Sequence, residues 1–482
     1  MKKSIMLVAS LLAAVLLQAK TVVLYHTSDT HGFFYPKNGQ GGFAALARVV
    51  NHEKYPHLLL DSGDFANGTV ETKTSKGAKA VELMNAVGYQ AATVGNHEFD
   101  FKDAGIDALL PEAKFAILAA NMRDKTTGQL PTWAKAYEVF EVEGVKVGVI
   151  GLANRTPTQP TQKYQFTKPL EALDQALANL QLQKPEVIVV LLHDSLADYK
   201  NGVLDYVGAI GKKYSGRVHV VLGGHAHKIF QNEHVGSVLY AEPGCYLQSV
   251  TKVTVELDDK TGKVSAVSSK LVPLDKGEDP IIAKRAQQLK EPGMDEVLGS
   301  VAEPISKNPV REDEKDAPLN NWIANIGKAY SQTPIFIHNT GGTRVSLEPG
   351  NFTKRTLIDL FPFDDTVVSF TLSGRELKNF IRHNLLPWNK YVYAGLEITY
   401  TAKKGRVKKL RVLLNGKPVE NNQRYTVATN SFVARNRAFE KLTKQQVGKQ
   451  TVRQLIVDEL KKGAVTAPKT GNIRQLPFVK KF

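Results

Sequence analysis

Residues 22–31 read Val-Val-Leu-Tyr-His-Thr-Ser-Asp-Thr-His, a β-rich run that breaks into a polar turn holding Asp29 and His31. The same grammar recurs along the first half of the chain. Leu58–Leu60 runs into Asp61-Ser62-Gly63-Asp64, and Ala91–Val94 into Gly95-Asn96-His97-Glu98-Phe99-Asp100. Val187–Leu192 ends on His193-Asp194, and Val218–Leu222 ends on Gly223-Gly224-His225-Ala226-His227. A further run covers Val145–Ile150. Near-continuous Val/Ile/Leu runs describe strands buried on both faces. Helical patterns separate them, for example over Gly42–Glu53 and Lys76–Val87. Strands alternating with helices make the fold class α/β.

The chain has 482 residues, which calls for more than one core. The alternating pattern loosens near residue 272. Pro273, Pro280 and Pro292 follow, with a helical charged stretch over 281–289 between them. This places a linker at 273–299, between a first domain at 20–272 and a second at 300–482. The second domain opens on a helical pattern over 318–330 and then becomes strand-rich over 395–401, 408–414 and 424–429. Asn415-Gly416 between apolar runs is a hairpin-turn signal.

Composition narrows the class of function. Hydrophobic residues make up 42% and charged residues 23%, so the chain has globular rather than disordered proportions. The formal net charge of +16 favours anionic partners without choosing among them. A single cysteine, Cys245, excludes intramolecular disulfides and Cys-rich metal sites. Lys2 and Lys3, an apolar run over 5–17 and Ala19 have the order of a secretory signal at 1–19. The run is shorter than the ~18 apolar residues of a membrane span, so we expect an exported, periplasmic or extracellular protein with no anchor after cleavage.

The chemistry sits where the predicted strands stop. In open α/β sheets, ligands bind outside the carboxyl ends of the strands. Here five strand ends deliver Asp, Asn and His to one rim. Imidazole and carboxylate oxygen suit divalent transition metals, and no thiolate is needed. A lone Asp-x-His or His-x-His is an ordinary turn; their joint occurrence at strand ends is the signal. Asp64 is the natural bridge, because one carboxylate offers two oxygens. Two ions about 3.5–4 Å apart can clamp the attacking and leaving oxygens of a displacement at phosphorus. With only Asp29 and Asp64 as carboxylates, such a centre keeps a net positive charge that suits a phosphate dianion. Asp100 lies three residues after His97, close enough to hold its imidazole charged.

In order and spacing, Asp29-x-His31, Gly63-Asp64, Gly95-Asn96-His97-Glu98, His193 and Gly224-His225-Ala226-His227 resemble the calcineurin-like metallophosphoesterase signature. The second domain narrows the resemblance to the secreted 5′-nucleotidase family. Asn339-x-Gly341-Gly342-Thr343-Arg344, Phe361-Pro362-Phe363-Asp364-Asp365 and Val427-Ala428-Thr429-Asn430-Ser431-Phe432 are similar to its C-terminal motifs. The resemblance implies a four-layer α/β/β/α sandwich followed by a smaller α/β substrate domain.

It also implies two divalent ions, such as Mn, Zn, Co or Fe. One is held by Asp29, His31, Asp64 and His227, the other by Asp64, Asn96, His193 and His225. His97, oriented by Asp100, stabilises the phosphoryl group or leaving oxygen, and the nucleophile is a water activated by the ions. Arg344, with Asn339 and Gly342, lies on the substrate side, and Phe363 and Phe432 match positions that sandwich a nucleobase.

The substrate this implies is a small nucleotide, a nucleoside 5′-monophosphate first. UDP-sugars, cyclic nucleotides and, on the same centre, sulfane–sulfonate conjugates are alternatives. A monomer or homodimer with no stable nucleic-acid complex is expected. One departure matters. The family's glycine-rich loop after the late Phe reads Ala434-Arg435-Asn436-Arg437-Ala438-Phe439 here, and Pro-Phe-Gly-Asn has become Pro-Phe-Asp-Asp.

Overall fold

A computed structural model describes residues 20–36, 41–386 and 389–477; the signal segment read at 1–19 lies outside them. The chain divides into two compact units. Unit 1 holds the residues up to Asn67 and Lys76–Gln288; unit 2 holds Gly68–Ser75 and the chain from Leu289 onward.

Unit 1 is built on two sheets, each with six strands among the described residues. In the first, Lys20–Thr27, His57–Asp61, Ala91–Thr93 and Ala116–Leu118 pair in parallel. Ser249–Leu257 adds antiparallel to Lys20–Thr27, and Val264–Pro273 closes that edge. In the second, Val145–Leu152, Val187–Leu192, Val220–Leu222 and Val238–Pro243 are parallel. Antiparallel Tyr137–Val142 and Ile229–Val235 flank them.

Facing side chains of the two sheets form one core. It includes Val22, Leu24, Leu58 and Leu60 from the first sheet and Val147, Val149, Val189 and Leu191 from the second. The alternate residues of the second sheet, such as Ile150, Val190 and Val221, pack on helices Pro169–Gln181 and Asp205–Lys213. Val187–Leu192 is therefore buried at every position, which is why its sequence reads as an unbroken apolar run. Each such fully buried side chain contributes about 1.5–3 kcal/mol. Helices Phe43–Asn51 and Ala78–Val87 accompany the first sheet, and the layers are the α/β/β/α sandwich expected.

Much of the stretch read as a linker, 273–299, is ordered into unit 1. Pro273 ends a strand and Pro280 opens a helix, Pro280–Gln288. Proline is tolerated at the first helical position because its missing N–H would be unpaired there anyway. Asp279 Oδ1 accepts the N–H groups of Ile281 (3.0 Å) and Ile282 (3.1 Å). Ile282 and Ala286 are buried, and Tyr35 Oη donates to the Ala286 carbonyl (3.0 Å). Pro273 and Pro280 mark element ends, and Pro292 lies in a turn. The two compact units divide at 288/289.

Unit 2 has a mixed sheet in the order Tyr391–Ala394, Ile335–Asn339, Arg424–Asn430, Thr366–Ser373, Gln445–Thr451. A second sheet runs Lys417–Pro418, Arg406–Leu414, Leu396–Lys403, Ile473–Leu476. Ile337, Phe370, Ile398, Tyr400 and Val412 share one core with helix Gly374–Asn384. Asn415 (φ 51°) and Gly416 (φ 73°) make the turn between Arg406–Leu414 and Lys417–Pro418; both left-handed residues are what a type I′ hairpin requires. Unit 2 also captures the short helix Val70–Thr74, capped reciprocally by Thr69 and Thr72.

Candidate metal centre

The carboxyl ends of parallel strands carry the predicted residues. Asp29 and His31 follow Lys20–Thr27, Asp64 follows His57–Asp61, and Asn96 and His97 follow Ala91–Thr93. His193 follows Val187–Leu192, and His225 and His227 follow Val220–Leu222. Backbone bonds stitch the loops together. The Asp29 N–H donates to the Gly63 carbonyl (2.9 Å), the His31 N–H to Asp64 (2.9 Å), and the Tyr246 N–H to Asp29 (2.8 Å).

The backbone is strained here in a consistent way. Asp29 (φ 52°), His31 (47°), Asp64 (61°), His225 (76°) and His227 (55°) are all left-handed. Side chains rarely adopt that region, and each instance costs about 1–3 kcal/mol. Two glycines allow the loops to touch. A Cβ on Gly63 (φ 94°) would lie 2.5 Å from the Gly95 nitrogen, and one on Gly95 would lie 2.2 Å from Asp64 Oδ1.

Three groups of ligand atoms converge, each within 4.8 Å: Asp29, His31, His227; His31, Asp64, His97; and Asp64, His193, His225. Asp64 Oδ2 lies 3.1 Å from His193 Nε2 and 4.0 Å from His31 Nε2. Asp29 Oδ1 lies 3.3 Å from His227 Nε2, and His31 Nε2 lies 3.2 Å from His227 Nε2.

The imidazoles are set by their other nitrogens. His31 Nδ1 faces the Asn67 carbonyl (2.8 Å) and His193 Nδ1 the Ser62 carbonyl (2.6 Å). A carbonyl only accepts, so each Nδ1 carries the proton, and in the neutral ring Nε2 presents its lone pair to the centre.

This donor set fits divalent cations. Asn96 Oδ1 is buried with no hydrogen-bond partner, while Asp29 Oδ1 and His193 Nε2 face only other donor atoms of the cluster, His227 Nε2 at 3.3 Å and Asp64 Oδ2 at 3.1 Å. Unsatisfied buried acceptors are costly, and a cation is what satisfies several at once. Burial works against ionising Asp64, but the charged forms of His193, His97 and His31 outweigh it and hold the carboxyl well below the usual range; a bound cation would take over that role and leave the rings neutral. Burial, reinforced by His193, lowers His225 to about 4, which keeps its imidazole neutral at pH 7.

Beside the centre, His97 Nδ1 and Asp100 Oδ2 are 2.7 Å apart. Asn67 Nδ2 donates to the same oxygen (2.6 Å), and Thr158 bonds the other. Burial alone would raise the Asp100 pKa; His97 reverses that and lowers it.

In unit 2, Asn339 and Asn430 meet through their side-chain amides (2.8 Å). They sit at the ends of the parallel pair Ile335–Asn339 and Arg424–Asn430. Gly342 is buried, and a Cβ there would meet Asn339 (3.0 Å) and Phe361 (3.1 Å). Arg344 Nη1 bonds the Gly341 carbonyl (3.3 Å). Phe363 stacks edge-on against Phe361, with centroids 5.6 Å apart. Phe432 is 44% exposed, with the Arg435 guanidinium 5.6 Å from its ring centroid. In the altered loop, Phe439 turns inward onto Phe370 and Phe380, while Arg437 stays exposed.

Residues 22–228 match the calcineurin-like phosphoesterase family, and residues 297–443 match the 5′-nucleotidase C-terminal domain. The chain belongs to the calcineurin-like phosphoesterases and carries a 5′-nucleotidase C-terminal domain. It is a metal-dependent phosphoesterase hydrolase. Among its relatives, the endonuclease YhcR of Bacillus subtilis (strain 168) is 26% identical over 420 residues, 81% of this chain. The chain spans only 34% of that relative's length. The 5′-nucleotidase of Vibrio vulnificus (strain CMCP6) is 25% identical over 497 residues, covering 88% of this chain and 86% of the relative. The fold is shared with the crystal structure of a 5′-nucleotidase precursor from Thermus thermophilus (TM-score 0.82, 23% identity, 95% of this chain and 100% of that one). It is shared as well with the sulfate thiohydrolase SoxB from Thermus thermophilus, in complex with glycerol (TM-score 0.81, 16% identity, 96% and 98%).

Several supports of the phosphoesterase centre carry no clear sequence signal. Glu98 lies inside the motif, yet its role emerges only in three dimensions. Its buried carboxyl accepts the N–H groups of Asp64 (3.0 Å), Phe65 (2.9 Å), Ala66 (3.1 Å) and Gly95 (2.7 Å), pinning the Asp64 turn to the Asn96 turn. Asn67 links His31 to Asp100. Tyr246 (φ 61°) lays its ring against His31 and His227.

Glu242 is another hidden support. Ser195 Oγ donates to its Oε2 (2.8 Å), and the Leu196 N–H donates to Oε1 (2.7 Å). Burial pushes this carboxyl up to about 8 from an ordinary 4.5. The fold therefore binds a proton that the unfolded chain has released, so stability falls as pH rises through that window. At about 1.4 kcal/mol per unit, the effect is a few kcal/mol. In chelator-treated protein, Tm should fall between pH 5 and pH 8 in the native sequence (window about 4.5 to 8). Glu242→Gln should flatten that fall, and parallel Tm curves for the two proteins would show that Glu242 is ionised in the fold.

Proposed function

We propose that this enzyme is an exported, periplasmic phosphohydrolase that releases phosphate from nucleoside 5′-monophosphates. The observation that carries the reading is one chain holding both the Asp/Asn/His cluster and a 5′-nucleotidase C-terminal domain with Phe363 and Phe432 at strand-end loops. The formal net charge of +16 suits an anionic substrate. Among the described residues, no helix is long and apolar enough to cross a membrane.

In this reading Asp29, His31, Asp64 and His227 hold one divalent cation, and Asp64, Asn96, His193 and His225 hold the second. When bound, two such ions polarise phosphoryl oxygens and lower the pKa of a coordinated water toward neutrality. The chain's own residues do the rest. His97, its Nδ1 committed to Asp100, offers Nε2–H to the phosphoryl group or the departing oxygen. Asp100 keeps that imidazole charged and oriented. Arg344 presents a planar fork of donors to phosphate or ribose oxygens. Phe363 and Phe432 hold the base by stacking, at about 1–3 kcal/mol per base, which is indifferent to base identity.

The test is phosphate release from AMP by the mature protein with Mn²⁺, against a chelated control. Metal-dependent release establishes the reading. Turnover of a generic aryl phosphate without release from AMP would keep the metal centre and shift the substrate to the sulfane–sulfonate alternative. The altered loop at 434–439 leaves room for that outcome.

A further inference from the structure

We propose that Lys73 and Arg453 are positioning residues that hold the loop 362–365 so that Phe363 is presented to the substrate; this rests on the nucleotide reading above. The starting point is a helix that the sequence pattern assigns to the first domain. Val70–Thr74 lies between Asp64 and helix Ala78–Val87 in sequence, yet it belongs to unit 2.

The helix is anchored there by a buried charge. The Glu71 carboxylate, 1% exposed, receives Arg355 Nη1 at 2.6 Å and the Glu291 N–H at 3.2 Å. Thr74 Oγ1 donates to Glu291 Oε2 at 2.9 Å. A carboxylate held this way cannot slide, so Lys73 projects from a fixed platform.

Lys73 then grips both sides of Phe363. Its Nζ donates to the Pro362 carbonyl at 2.6 Å and to Asp364 Oδ2 at 2.8 Å. Arg453 pairs with the other Asp364 oxygen. The next residue, Asp365, accepts from Ser431 Oγ at 2.8 Å, and its carbonyl accepts the Val452 N–H at 2.8 Å. Every residue around Phe363 is therefore tied to a distant part of the chain, while the ring itself is only partly buried. That is the arrangement of a presented contact rather than a core aromatic.

Asp364 is also where this chain departs from the family's Pro-Phe-Gly-Asn, and a glycine there would offer Lys73 and Arg453 no carboxylate. The same stretch of chain carries a second grip, since Asn67, six residues before Lys73, holds Asp100 and His31.

The experiment compares Lys73→Met, Lys73→Arg and Asp364→Asn in the full-length mature protein loaded with Mn²⁺. Removing charge-assisted hydrogen bonds to the loop should raise KM for AMP about tenfold in Lys73→Met and Asp364→Asn. Turnover of ribose 5-phosphate, which has no ring to stack on Phe363, should stay within about twofold. Lys73→Arg keeps the charge and should recover most of the KM. Amide hydrogen exchange across 361–366 should accelerate in Lys73→Met and Asp364→Asn and return toward the native rate in Lys73→Arg. Unchanged exchange, or AMP and ribose 5-phosphate turnover falling together, overturns the proposal. If the native protein acts on p-nitrophenyl phosphate but not on AMP, the nucleotide reading fails by itself, and the exchange rates still decide whether Lys73 holds the loop.

Discussion

His97→Ala should keep both metal ions and lose about 10²–10⁴ of turnover, the range typical of a positioned acid or base. The backbone and the ring of His97 do different work. Its backbone N–H donates to Asp64 Oδ1 at 2.7 Å, and that bond survives truncation of the side chain. Its ring is tied through Nδ1 to Asp100, which Asn67 and Thr158 also hold. A ring so anchored is a hydrogen-bond donor in waiting. Yet it sits within reach of His31 and Asp64, where a ligand could also sit. The two roles separate cleanly by metal analysis. Two ions per chain with collapsed kcat supports the donor role, and one ion per chain would make His97 a ligand and retire that assignment. Asp100→Asn should follow the same pattern with a smaller loss, because the ring stays but its charged state is no longer favoured.

Asp64→Asn should empty the centre and bring activity down to that of chelated protein. Asp64 touches the imidazoles of both halves of the cluster, with Oδ2 toward His193 and His31, and its Oδ1 accepts the His97 N–H. Asparagine is the informative replacement. It tolerates the left-handed backbone at φ 61°, whereas alanine adds strain to the loss of charge. The variant should still fold, since Glu98 keeps the turn pinned through the Asp64 N–H and its neighbours. Native-like circular dichroism with less than one ion per chain is the expected result. Two ions retained at native affinity would remove Asp64 from the bridging position.

The strands and the chemistry at their ends were legible in sequence because both are local. An unbroken Val187–Leu192 needs no long-range information to be recognised as doubly buried, and Asp-x-His or His-x-His is visible wherever it lies. Asn415-Gly416 likewise announces its turn through its own φ preferences. The stretch 273–299 is not legible in that local way. Pro273 and Pro280 look like breaks in any local window, and only the burial of Ile282 and Ala286 against unit 1 shows that they bound ordered elements.

What the amino-acid order determined alone is the α/β alternation, the donor types at each strand end, and the aromatic and arginine residues of the second domain. The tertiary structure decided how those donors are used. Parallel pairing aligned the carboxyl ends within each sheet, and the packing of the two sheets on one core brought Ser62 of the first to His193 of the second, where the Ser62 carbonyl sets the His193 tautomer through a 2.6 Å contact spanning 131 positions. It drew four backbone N–H groups onto Glu98, and it took Val70–Thr74 out of the first domain to brace a loop near residue 363. Such contacts join one side chain to another segment's backbone. No periodicity encodes that pairing, because it exists only once the strands have been ordered into sheets and the sheets packed together.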